Sequence, residues 1–74
     1  MSTTVTGKVE RKELGMGAWA LVADDGITYE LMNAPAALVQ SRSKVKVNGT
    51  IREDIMTIAM IGPVLDVVSF QVED

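Results

Sequence analysis

The stretch Gly17-Ala-Trp-Ala-Leu-Val-Ala-Asp-Asp-Gly-Ile-Thr-Tyr-Glu-Leu31 decides the fold. It predicts two short strands joined by a tight turn, because Asp25-Gly26 between apolar runs is typical of a β-hairpin. The stretch also holds the only Trp and the only Tyr of the chain. We expect Trp19 and Leu21 to face the core, since a small protein needs their volume inside. The outer face of the same strand then carries Ala18, Ala20 and Val22.

The facing of the next strand follows from the same alternation. Tyr29 points inward together with Ile27 and Leu31, and Thr28 and Glu30 lie on the wet face. If this parity were reversed, Trp19 and Tyr29 would both lie on the surface.

Alternating apolar and polar residues predict two more half-buried strands. In residues 3–12, Val5, Gly7 and Val9 share the inner side, and the glycine marks a bend. Residues 44–52 repeat this pattern, with Gly49 in the same role as Gly7. Their inward positions are Val45, Val47, Gly49 and Ile51, and Lys44, Lys46 and Asn48 point outward.

The remaining segments predict a short helix and the end of the sheet. Residues 33–40 favour one or two turns of helix, with Asn33 as the N-cap and Leu38 as the anchor on the core. Residues 55–61 are apolar almost throughout, and Gly62-Pro63 separates them from residues 64–72. They form two strands or one long strand, interrupted at Gly62-Pro63, and the facing of the last strand stays ambiguous.

The composition limits the protein to one small domain, residues 1–74. Hydrophobic residues make up 47% of the chain, which is enough for a core near the lower size limit. The chain has no Cys and no His, so it lacks disulfides, thiolate metal ligands and the usual general base. No apolar run has membrane-spanning length and no signal peptide is evident, so we expect a cytoplasmic protein without a membrane partner.

The order strand, strand, strand, short helix, strand, strand predicts an all-β fold. A helix between strands 3 and 4 favours a small five-stranded oligonucleotide/oligosaccharide-binding (OB) barrel. The alternative is a small open meander or SH3-like barrel of similar strands.

Five short motifs along the chain support the same plan. They are Gly7-Lys8-Val9, Gly17-Ala18-Trp19, Asp25-Gly26-Ile27-Thr28-Tyr29, Val45-Lys46-Val47-Asn48-Gly49 and Met60-Ile61-Gly62. In these motifs the chain resembles a group of small bacterial and cyanobacterial OB-like proteins. The resemblance implies a fold and brings no activity with it. One departure is Ser41-Arg42-Ser43, where those proteins often have a Gly after the helix.

Catalytic and metal sites find little support in the sequence. The serines have no evident base beside them, so we expect no enzyme, no catalytic residue and no cofactor. Asp24 and Asp25, with Glu30 across the hairpin, are the best candidate for a cation site. A calcium loop needs more ligands at fixed spacing, so a hairpin turn is favoured and no metal site is predicted.

Two binding functions remain. The uncharged strip Ala18, Ala20 and Val22 predicts a non-catalytic interaction module that binds a protein partner or a second copy. The alternative is a weak single-stranded nucleic-acid binder. The net charge of −3 disfavours this function, and so does the lack of aromatic or basic side chains on the predicted outer face of strands 2 and 3. Its candidate contacts are Lys8, Lys12, Lys44, Lys46, Trp19 and Tyr29.

Overall fold

The computed structural model describes residues 2–13, 17–55 and 61–73. In these ranges the chain forms five strands and one short helix. In chain order they are β1 (Ser2–Lys12), β2 (Ala18–Ala23), β3 (Thr28–Met32), α1 (Ala36–Val39), β4 (Lys44–Arg52) and β5 (Val64–Glu73). The predicted all-β class, with the helix between the third and fourth strands, is confirmed. The strand predicted before Gly62 falls largely on residues 56–60, outside the described residues.

The five strands form one sheet that closes on itself in the order β1-β2-β3-β5-β4. All neighbouring pairs are antiparallel except β3 and β5, which run parallel. β1 contributes to two neighbours: its first half pairs with β4 and its second half with β2. The change of partner occurs at Gly7, which lies opposite both Val45 and Ala23. A Cβ there would overlap the carbonyl oxygen of Val22, so the predicted bend requires a glycine.

The core fills the inside of this closed sheet. The predicted inward positions of β1 and β4 are confirmed, since Val5, Val45 and Val47 are buried in it. Trp19 and Tyr29 are partly buried and pack against the same cluster, so the predicted inward facing of these two residues is also confirmed. The remaining buried members of the cluster are Leu21, Ala23, Leu31, Leu38, Leu65 and Val67.

The hairpin turn differs in detail from a two-residue connection. β2 ends at Ala23 and β3 begins at Thr28, so the connection spans residues 24–27, and the backbone N–H of Ala23 donates to the carbonyl of Ile27 at 3.0 Å. Gly26 has a φ of 89°, which glycine adopts without strain. Asp25 Oδ1 accepts a hydrogen bond from the Ile27 N–H at 2.9 Å and holds the loop in shape. Ile27 is consequently part of the turn and is 45% exposed rather than packed in the core.

The helix α1 is held by burial of one side chain. Its N-cap is Pro35, with no side-chain hydrogen bond to the helix end, so the prediction that Asn33 caps the helix is wrong. Asn33 adopts a φ of 59°, and its Nδ2 donates to Asp66 Oδ1 at 2.9 Å. Asparagine tolerates this left-handed conformation better than most residues, so it turns the chain out of β3. Leu38, the predicted anchor, is fully buried.

Candidate interaction surfaces

The central residue of the strip predicted on the outer face of β2 is buried. Ala18 and Val22 are half-buried, and Ala20 is 0% exposed. The prediction of an accessible strip of Ala18, Ala20 and Val22 is therefore wrong at Ala20. Burial of this residue does not place it in the core cluster, because it alternates with the inward-facing Leu21.

The cross-strand neighbours of Ala20 are both glutamates. It lies opposite Glu10 of β1 and Glu30 of β3, so its methyl group sits between two longer side chains. Glu30, predicted on the wet face, is itself only 8% exposed. The middle of the β2–β3 outer face thus offers neither an open surface nor an aromatic platform.

Trp19 has a cation over its ring. The guanidinium carbon of Arg11 lies 5.8 Å from the ring centroid, and the two residues are opposite each other on β1 and β2. Arg11 Nε also donates to Glu13 Oε1 at 3.2 Å. Because the indole packs against the core and pairs with Arg11, a nucleic-acid base would have to displace the guanidinium to stack there.

The four candidate lysines do not form one free basic patch. Lys44, Lys46 and Lys12 each pair with a carboxylate, and Lys8 has no ion pair with a residue that the structure describes. β1 and β4 are neighbours, but Lys12 lies on the half of β1 that pairs with β2, opposite Ala18. The ion pairs are Lys44–Asp24 at 2.9 Å, Lys46–Glu73 at 3.3 Å and Lys12–Glu10 at 3.8 Å.

The acidic residues of the hairpin have structural partners. Asp24 binds Lys44, and Asp25 accepts the hydrogen bond of the turn. Across residues 2–13, 17–55 and 61–73 no group of three or more His, Cys, Asp or Glu side chains is arranged to hold a metal ion. Over the same residues no helix is long and apolar enough to cross a membrane.

The most exposed apolar side chain of β5 results from a bulge. Asn48 pairs with Ser69, and the next residue of β4, Gly49, pairs with Val67, so Val68 has no partner on β4. An extra residue reverses the alternation of a strand. Val67 and Phe70 therefore both face the core, and Val68 is 75% exposed. This bulge is the reason that the facing of the last strand was ambiguous from sequence.

A row of uncharged side chains crosses the outer face beside Val68. Thr4 Oγ1 of β1 donates to Asn48 Oδ1 of β4 at 2.6 Å. Asn48 Nδ2 in turn donates to Ser69 Oγ of β5 at 3.3 Å. These two hydrogen bonds hold three neighbouring strands in one arrangement. We call Thr4, Asn48, Ser69 and Val68 the β5 face.

A network of charged groups closes the far end of β4. Arg52 binds Asp54 through Nε and Nη2, at 3.1 and 3.0 Å, and Asp66 through Nη1 at 3.1 Å. The hydrogen bonds from Arg52 lower the pKa of Asp54, and the hydrogen bonds to Asp54 raise the pKa of Arg52. Because Asp66 also accepts from Asn33, the network connects β4, β5 and the segment after β3.

Comparisons with known proteins add no assignment. No protein-family model matches the chain, and neither a curated protein nor a solved structure matches it.

Proposed function

We propose that this protein is a small, non-catalytic interaction module of the OB type that binds a protein partner or a second copy of itself. The strand order β1-β2-β3-β5-β4 and the helix between β3 and β4 support the five-stranded Greek-key plan of an OB barrel. The β5 face takes the place of the β2 strip as the contact surface.

The observation that carries the proposal is the exposure of Val68 on the β5 face. This side chain is 75% exposed and adjoins a row of uncharged side chains that are already fixed by hydrogen bonds. The centres of protein interfaces are depleted of charge, and ordering such a surface costs little because its side chains are rigid before binding. Charged side chains lie at the two ends of the same strands, as in the polar rim of an interface.

A single-stranded nucleic-acid binder has less support from the same geometry. The guanidinium of Arg11 lies over the Trp19 ring, and three of the four lysines are paired with carboxylates. Ala20 and Glu30, at the centre of the outer face of β2 and β3, are buried. Nucleic acid is held by free cations and exposed aromatic rings, and the described residues offer few of either.

The test replaces Val68 with arginine and leaves the fold alone. Ala37→Arg is the control, because Ala37 is also an exposed apolar residue and lies in α1, outside the β5 face. Sedimentation velocity between micromolar and millimolar concentration measures self-association, and immobilised protein measures the capture of a partner.

We expect Val68→Arg to weaken one of these two associations at least about tenfold, since a charge buried in an interface is costly, and Ala37→Arg to leave it unchanged. If the wild type is monomeric throughout and retains no protein that Val68→Arg loses, the proposal is wrong.

A further inference from the structure

A cleft of about 250 Å³ lies between the first half of β1 and the β2–β3 turn. It exists because β1 leaves β2 at Gly7 to pair with β4, while the turn continues past that point. One hydrogen bond joins the two walls, from the Asp24 N–H to the Thr6 carbonyl at 2.9 Å. The lining residues are Thr3, Thr4, Val5, Thr6, Ala23, Asp24, Asp25 and Tyr29.

The lining is apolar on its floor and polar at its rim. Val5 and Ala23 are each only 6% exposed and belong to the core cluster, and Tyr29 packs against that cluster. The rim carries threonines and the carboxylates of Asp24 and Asp25. This combination suits a ligand with an apolar stem and a polar, charged end.

The two carboxylates are used to different degrees. Asp24 Oδ2 lies 2.9 Å from Lys44 Nζ, so the charge of Asp24 is already matched. Asp25 Oδ1 accepts a hydrogen bond from the Ile27 N–H, and this bond fixes the position of the Asp25 carboxylate. Among the residues that the structure describes, Asp25 has no ion pair.

We propose that this cleft receives one basic side chain, preferably arginine, from the protein partner of the module. The methylene groups would lie on Val5 and Ala23, and the guanidinium would bind Asp25 beside the Tyr29 ring. Arginine fits better than lysine because its planar head binds carboxylates and aromatic rings together. The net charge of −3 also attracts a basic segment.

This inference rests on the proposed function, and the fold connects the two surfaces. Thr4 lines the cleft and also donates the hydrogen bond to Asn48 on the β5 face. Val68 lies two strands from β1, which is about 10 Å across the sheet. A single partner can therefore cover Val68 and place a side chain in the cleft.

The experiment is an amide NMR titration of the whole protein with N-acetyl-arginine methylamide. N-acetyl-citrulline methylamide is the control ligand, because it has nearly the same shape without the charge. We expect shifts for the arginine ligand alone, confined to Thr3–Thr6, residues 23–25 and Tyr29, and fading as salt rises.

Two protein variants test the assigned carboxylates. Asp25→Asn keeps the acceptor oxygen of the turn but removes the charge, and we expect binding to weaken about threefold, the size of an exposed ion pair. Lys44→Met frees Asp24, and we expect binding to strengthen by about the same factor. Lys12→Met is the control, since it removes the same charge and frees Glu10, which does not line the cleft.

The results separate the cleft from the proposed function. Equal shifts with both ligands, scattered shifts, or unchanged affinity in both Asp25→Asn and Lys44→Met would overturn the assignment of the cleft, whatever Val68→Arg does. Arginine-specific shifts in the cleft would support it even if the β5 face proved inert, in which case only the proposed function would fail.

Discussion

Replacing Leu38 with alanine tests whether one buried side chain holds α1 on the core. Leu38 is 0% exposed, and α1 has only four residues and no side-chain cap. Leucine and alanine have similar helix propensities, so the substitution removes packing and leaves the local preference nearly unchanged. The loss therefore measures the contact between helix and sheet.

The expected loss is large for a chain of this size. Truncating a fully enclosed leucine costs about 3 kcal/mol, because transfer energy is lost and a cavity remains. A domain of 74 residues has a free energy of unfolding on the order of 4–11 kcal/mol. The variant should thus lose a quarter or more of its stability, and its melting temperature should fall by roughly 12–24 °C.

Urea unfolding, followed by Trp19 emission and far-UV circular dichroism, gives the free energy directly. The matched control is Val39→Ala in the same helix, where the side chain is only partly buried and about 1 kcal/mol or less should be lost. The midpoint should shift without a change in slope. If Leu38→Ala cost no more than Val39→Ala, the helix would not be anchored in this way and the reasoning would be refuted.

Two further predictions concern the charged groups and the aromatic site. The lowered pKa of Asp54 contributes stability that is present above the ordinary carboxyl value of 3.8 and is lost as the pH falls through the folded-state pKa. The acid unfolding of Asp54→Asn should therefore lack this part of the pH dependence. An unchanged acid-unfolding profile would show that Arg52 gives the carboxylate no net stabilisation. Adding short oligothymidylate at low salt should leave the fluorescence emission of Trp19 unchanged, because Arg11 lies over the ring and the indole packs on the core. Salt-sensitive quenching of this emission would favour the nucleic-acid alternative.

Local sequence patterns predict most of the fold because each acts over a few residues. Asp25-Gly26 predicts the position of the hairpin, and the alternation in β1 and β4 predicts their inner face. Leu38 is predicted as the anchor of the helix, and its full burial confirms this. The bend at Gly7 also follows from sequence, although its cause, the carbonyl oxygen of Val22, belongs to another strand.

The interaction surfaces were much less predictable. Ala20 alternates like an exposed residue, yet it is 0% exposed, because a period-two pattern predicts only which side of the sheet a residue faces and not what covers it. Val68 and Phe70 are two positions apart, which in an unbroken strand places them on one face, and the bulge opposite Asn48 and Gly49 separates them. The pairing of Lys44 was also hidden, because its acidic partner Asp24 lies 20 residues away along the chain.

By itself, the sequence determined the all-β class, the order of the elements and the inward set of β1, β2 and β4. These depend on periodicity and turn chemistry, which are properties of neighbouring residues. The tertiary structure alone decided which outer positions remain open, where the parity of β5 reverses and which charges are already paired. Those properties depend on which strands lie side by side, since accessibility and ion pairing are set by neighbours in space.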